Sequence, residues 1–239
     1  MNRILVFFAA IILFQSGKAA AQTQVISDPN AEARGVGSFS AIDVSGGINL
    51  YLSQGNEDGI AVSASETTYR DHIKTTVQNG VLKIGYQSQG WKSRGGNKKM
   101  IAYVSFKSLK AITASGASDV LVNGLIKAEV LSLRLSGASD FKGNIEINTL
   151  DVDQSGASDA TVTGNALSLE IKVSGASKFK GYNLETENCN AKASGASDIK
   201  IMVNKELYAN ASGASSIFYK GNALPKEVRS NGASSIKKM

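Results

Sequence analysis

Cysteine, histidine and tryptophan occur once each in these 239 residues, as Cys189, His72 and Trp91, and proline occurs only twice. A lone cysteine excludes an internal disulfide, and a lone histidine leaves no material for a zinc site or a Cys/His catalytic pair. The scarcity of proline excludes collagen and proline-rich linkers. Charged residues make up 19% and hydrophobic residues 42%, which fits neither a disordered chain nor a membrane bundle. The apolar run from Ile4 to Phe14 is far short of the roughly 20 residues a membrane-spanning helix needs. No cofactor, no metal and no catalytic residue are expected from this composition.

The same front segment reads as an export signal. Arg3 supplies a basic start, the apolar run follows, and Ala19-Ala20-Ala21 offers the small residues a signal peptidase requires, so residues 1–21 are expected to be removed and the mature chain to begin at Gln22. Without Arg3 and Lys18 the mature chain carries 24 basic and 20 acidic residues, a net charge of about +4. On an exported protein that excess points away from nucleic acid. Residues 22–38 read as a polar leader without periodicity.

Glycine is in excess: 24 residues, about 10% against the usual 7% or so. Many of them belong to a repeat. Ser-Gly-Ala-Ser begins at Ser115, Ser136, Ser155, Ser174, Ser194 and Ser212, and a decayed copy runs from Asn231 to Ser234. Its glycines, from Gly116 to Gly232, are spaced by 21, 19, 19, 20, 18 and 19 residues. Four residues after each glycine stand Val120, Phe141, Ala160, Phe179, Ile199, Ile217 and Ile236. Before the glycines come alternating triplets such as Leu131, Leu133, Leu135 and Leu169, Ile171, Val173. Alternation with period two puts each triplet on one face of a strand. Stacking the units brings equivalent residues about 4.8 Å apart in continuous apolar ladders.

The expected fold is therefore all-β, a right-handed parallel β-solenoid (β-helix) with about 19 residues per coil, its corners made by Ser-Gly-Ala-Ser. A leucine-rich repeat fails, because no asparagine ladder is present and Phe141, Ile145 and Ile147 alternate where a helix would be required. Residues 39–113 form a β-rich amino-terminal part. It includes a hairpin at Asn79-Gly80, a helical turn over 67–72 and a glycine- and charge-rich loop over 87–99. The repeats occupy 114–239, and 39–239 reads as one continuous unit.

Phe39–Asp43, Gly47-Ile48-Asn49, Asn79-Gly80-Val81-Leu82-Lys83-Ile84 and the Ser-Gly-Ala-Ser-Asp units together resemble the bacterial head GIN domain family of auto-transporter adhesins. The resemblance covers about residues 39–239. It implies an exported envelope protein, β-helical, with an adhesive role, and no catalytic residues to carry over. Because the repeats run on to Ile236, no carboxy-terminal translocator barrel is expected within this sequence.

Four groups of residues bear on function. Asp119, Asp140, Asp159 and Asp198, with Lys178 in the same slot, form an acidic ladder. Carboxylates about 5 Å apart repel by about 1 kcal/mol in water, and Lys142, Lys180 and Lys200 are placed to relieve that on a solvated face. The serines Ser118, Ser139, Ser158, Ser177 and Ser197 are expected to hydrogen-bond along the corner, since no base is present to activate them. Cys189 falls in a core slot and His72 on the surface. The fourth group is the loop, where Trp91 stands among Lys92, Arg94, Lys98 and Lys99; an aromatic among cations is suited to gripping sugars or anions.

The expected function is a non-enzymatic adhesion or scaffold module of the cell envelope, recognising glycan or another envelope component. The expected location is the periplasm, the outer-membrane surface or the medium, without an integral membrane segment. The alternative is a β-helical polysaccharide lyase or hydrolase acting on acidic glycans.

Overall fold

The computed structural model describes residues 28–87 and 98–239. Before the repeats come the strands β1 (Glu32–Arg34), β2 (Ala41–Val44), β3 (Ile48–Gln54), β4 (Gly59–Ser63), β5 (Ile73–Gln78), β6 (Val81–Tyr86), β7 (Met100–Phe106) and β8 (Ala111–Ala114), with the helical turn α1 (Thr67–Asp71) ahead of β5. The repeats form β9 (Asp119–Leu135), β10 (Asp140–Gln154), β11 (Asp159–Val173), β12 (Lys178–Ala193), β13 (Asp198–Ala211), β14 (Ser216–Lys220), β15 (Leu224–Ser230) and β16 (Ser235–Lys238). The coils of about 19 residues stack in parallel into a β-solenoid of about seven turns. Strand accounts for 67% of the described residues, which disposes of the leucine-rich alternative.

The register follows the repeat. Val120 pairs with Phe141, Phe141 with Ala160, Ala160 with Phe179, Phe179 with Ile199, Ile199 with Ile217, and Ile217 with Ile236. A second ladder runs Leu131, Leu150, Leu169, Cys189, Leu207. Both are buried as far as Ile217 and Leu207. Gln154 replaces an apolar residue between Leu135 and Val173, and is fully buried. It is accommodated because its Nε2 donates to the Ser158 and Lys178 carbonyls.

At the corners, the alanine N–H of each unit donates to the carbonyl of the previous unit's glycine at 2.8 Å, from Ala138 onto Gly116 through Ala214 onto Gly195. The glycines have φ between 72° and 78°. A Cβ on Gly137, Gly156 or Gly175 would stand 2.5, 2.5 and 2.4 Å from that same carbonyl oxygen. Two constraints thus meet on one residue type, left-handed backbone and backbone-to-backbone stacking.

The amino-terminal part is built on the same plan but in a different order. Strands β2 and β3 make a coil whose corner, Gly46-Gly47, stacks under Gly116. Their partners on one side are β8 and β9. On the other side lie β6 and β7, which come later in the chain. The chain therefore lays down an inner coil first, moves outward to build the end, and returns through β8. Strand β4 continues that end antiparallel to β7, and β5 does so antiparallel to β6, and Asn79 (φ 52°) and Gly80 (φ 72°) turn the β5–β6 hairpin. The opposite end is the decayed repeat: β15 is exposed throughout, with Pro225, Lys226, Glu227 and Arg229 along it. A polar terminal coil with a proline shields the last edge.

Two expectations need correction. The polar leader contains a strand, β1, antiparallel to β4, held by ion pairs from Glu32 to Arg34 and Arg70, both at 2.9 Å. His72 is half-buried rather than on the open surface; its Nδ1 lies 2.7 Å from the Thr68 carbonyl and its ring 6.1 Å from that of Tyr86. The expected signal segment 1–21 lies outside the described residues.

Candidate functional site

The serine ladder is structural. Ser118, Ser139, Ser158, Ser177 and Ser197 are fully buried. The hydroxyls of Ser158, Ser197 and Ser215 donate to the carbonyls three residues back, at 2.9, 2.8 and 2.8 Å. The decayed copy keeps this bond, Ser234 to Asn231, because only a backbone acceptor is required. Between coils, the Ser158 N–H donates to Ser177 Oγ at 3.2 Å. In the first coil Ile48 precedes this column, and its N–H donates to Ser118 Oγ at 3.3 Å. The Gly47-Ile48-Asn49 motif is thus one more corner of the solenoid.

The acidic ladder faces outward beside a column that includes Lys142, Thr161, Lys180 and Lys200. Lys180 Nζ reaches Asp159 Oδ2 at 2.9 Å, and Asp140 Oδ1 accepts the Asp159 N–H at 3.2 Å. Partial burial, with the neighbouring Asp140 carboxylate, pushes the Asp119 carboxyl above its ordinary range. A shallow recess of about 280 Å³ lies over these residues. Among the described residues no group of three His, Cys, Asp or Glu side chains is arranged to hold a metal ion.

Cys189 is buried in the core ladder, and burial pushes its thiol far above the ordinary value. Of the loop residues singled out by the sequence, Trp91, Lys92 and Arg94 lie outside the described residues. Lys98 and Lys99 are described, and they part company. Lys98 Nζ lies 5.0 Å from the Tyr86 ring centre and 5.8 Å from that of Tyr69, while Lys99 is exposed near Asp28. Burial alone would raise the Asp28 carboxyl. Hydrogen bonds from Ser63, the Asn30 N–H and the Tyr103 hydroxyl, with the Lys99 charge, hold it below the ordinary value instead. Burial and Asp28 together push the Tyr103 hydroxyl up to about 12.

A larger feature was not visible in the sequence. An open groove of about 760 Å³ crosses five successive coils, from Lys127 to Lys205. One side of it is the register column Lys127, Glu146, Asn165, Glu185. Glu129, Asn148, Leu167, Glu187 and Lys205 stand across from them. The floor includes Ala128, Ile147, Ala166 and Thr186. Ion pairs lie along the two sides near the ends, Lys127 to Glu146 and Lys205 to Glu187, each at 2.8 Å. The Asn148 amide donates to Glu129. The one signal available in the sequence was the spacing of 19, 19 and 20 residues along the Lys127 column, outside the alternation used to find the core.

A parallel solenoid with glycine-stacked corners and an open lateral groove defines a β-helical protein that presents flat and grooved faces. The sequence matches the family described as "Putative auto-transporter adhesin, head GIN domain" over residues 38–223, and the chain belongs to that family. No curated protein matches it. Its fold is similar to three solved structures. A putative adhesin from Bacteroides fragilis has 22% identity and a TM-score of 0.81, over 87% of this chain and 96% of that one. A putative lipid binding protein from Parabacteroides distasonis has 19% identity and a TM-score of 0.67, over 88% and 97%. A putative adhesin from Parabacteroides merdae has 19% identity and a TM-score of 0.62, over 87% and 95%. At these identities the likeness is one of fold. Among the described residues no helix is long and apolar enough to cross a membrane.

Proposed function

We propose that the chain is an exported, non-enzymatic adhesion module of the cell envelope that recognises glycan or another envelope component. The observation that carries this reading is the open groove on a stiff stack of coils, whose carboxylates are largely engaged by lysine or asparagine rather than set as an acid and a base. Membership in the adhesin family supports it. The loop with Trp91, Lys92, Arg94, Lys98 and Lys99 is a second contact region in this reading, with Lys99 already exposed at its end. Residues 1–21 act as the export signal, and amino-terminal sequencing of the exported protein should start at Gln22.

The test is a glycan array and a binding assay on isolated cell envelopes, run with the mature protein beside a reducing-sugar release assay. Binding without sugar release is the expected result. Trp91→Ala should weaken binding to acidic glycans and leave the melting temperature in place; failure to bind both array and envelopes would remove the proposal. The enzyme reading draws on one observation, the carboxylates Asp119 and Asp140 set side by side in register on adjacent coils, since glycoside cleavage uses paired carboxylates. Sugar release abolished by Asp119→Asn would establish it instead.

A further inference from the structure

We infer that the groove crossing the solenoid from Lys127 to Lys205 is a subsite for a neutral, extended polysaccharide chain lying along the stack of coils. This rests on the adhesion reading above and specifies where its ligand sits. Five coils at about 4.8 Å per step give the groove a length of about 19 Å, enough for several pyranose units of an extended chain. Each coil places its own outward residues along the groove, at a step close to the rise of one such unit, so successive sugars meet successive rungs.

The rungs supply what an uncharged sugar chain needs. At the centre, Asn165 and Leu167 flank the small side chain of Ala166, which is 3% exposed and forms the floor. Leu167 is 50% exposed, an isolated apolar surface beside hydrogen-bonding groups. A pyranose ring has the same two-sided character, with C–H groups on its faces and hydroxyls at its rim. Leu167 covers a face, and the Asn165 amide and Glu185 carboxylate take hydroxyls, the mix of apolar contact and few polar anchors that sugar-sized sites use.

Charge selects against anionic ligands. The lining holds four glutamates and two lysines, and both lysines are occupied by glutamates at the two ends of the groove. An acidic glycan or a nucleic acid would meet net negative charge with those two cations already engaged.

The test uses the mature chain, isotopically labelled and followed by NMR, titrated with cellohexaose, xylohexaose, mannohexaose and hexagalacturonate. At least one neutral hexasaccharide should shift the backbone signals of Asn148, Asn165, Leu167 and Glu185, and hexagalacturonate should leave them in place. Asn165→Ala and Leu167→Ala, both outward-facing, should each weaken that binding by about tenfold, equivalent to about 1.4 kcal/mol, with unchanged unfolding midpoints. The inference is overturned if no neutral hexasaccharide moves groove signals at millimolar concentration, if hexagalacturonate binds there more tightly, or if the shifts fall only at Lys98 and Lys99. That last outcome would leave the glycan-binding reading standing and remove the groove. Absence of binding on the array and the envelopes as well would remove both.

Discussion

The ring of Phe179 occupies the space where Gly181, two residues along the same strand, would otherwise carry a side chain. A Cβ on Gly181 would come within 2.5 Å of Phe179 Cε1. Phe141 and Gly143 repeat the arrangement, with 2.8 Å to Phe141 Cζ. The coil between them reverses the sizes, with Ala160 and Val162 in the corresponding places. Across these three coils large and small residues therefore alternate, keeping the core filled without overlap.

This pairing is testable by overpacking. Gly181→Ala should lower stability by about 1–3 kcal/mol, read by denaturant unfolding. Adding Phe179→Leu should recover part of that loss, because the smaller side chain vacates the contested space. A double variant worse than the sum of the two singles would show that ring and glycine do not share it.

Gly124, inside β9, and Gly156, at a corner, separate backbone strain from steric stacking. Gly124 has φ 86° and open space around its missing Cβ, whereas Gly156 has φ 78° and a carbonyl oxygen 2.5 Å away. Gly124→Ala should cost about 1–2 kcal/mol, the left-handed penalty alone. Gly156→Ala adds a clash with the Gly137 backbone of the preceding coil and should lower the melting temperature clearly further. Equal losses would mean that stacking contributes nothing at the corner.

Two carboxylates give pH dependences of opposite sign. The folded state holds the Asp28 carboxyl below its ordinary value, so the stability it contributes is present above that value and lost as pH falls through the acid range. The folded state raises Asp119, so stability falls as pH rises just above the ordinary carboxylate value. Asp28→Asn should flatten the acid-side loss in a stability–pH profile. Asp119→Asn should remove the decline and be at least as stable as the parent at neutral pH.

Cys189 supplies an internal reporter. Its buried, raised thiol should resist a thiol reagent in the native protein and react only on unfolding. Rapid modification under native conditions would mean that the Leu169–Cys189–Leu207 ladder opens locally.

The sequence by itself determined the coil, its length and its inward residues, because each of these depends on local repetition: a period of two within a strand and about 19 between corners. Phe141, Phe179, Leu131 and Cys189 could be placed inside for that reason, and the buried serines assigned to the corner. Only the tertiary structure decided three other things. It set the order of the first coils, where Met100–Phe106 lies outside Ile48–Gln54, since pairing between distant strands leaves no trace in either one. It drew Glu32–Arg34 into the sheet, because an edge strand of three residues is selected by its partner rather than by its own pattern. And it made the groove, because Asn148, Asn165 and Glu185 face outward from different coils, and outward residues of a solenoid become neighbours only when the coils stack.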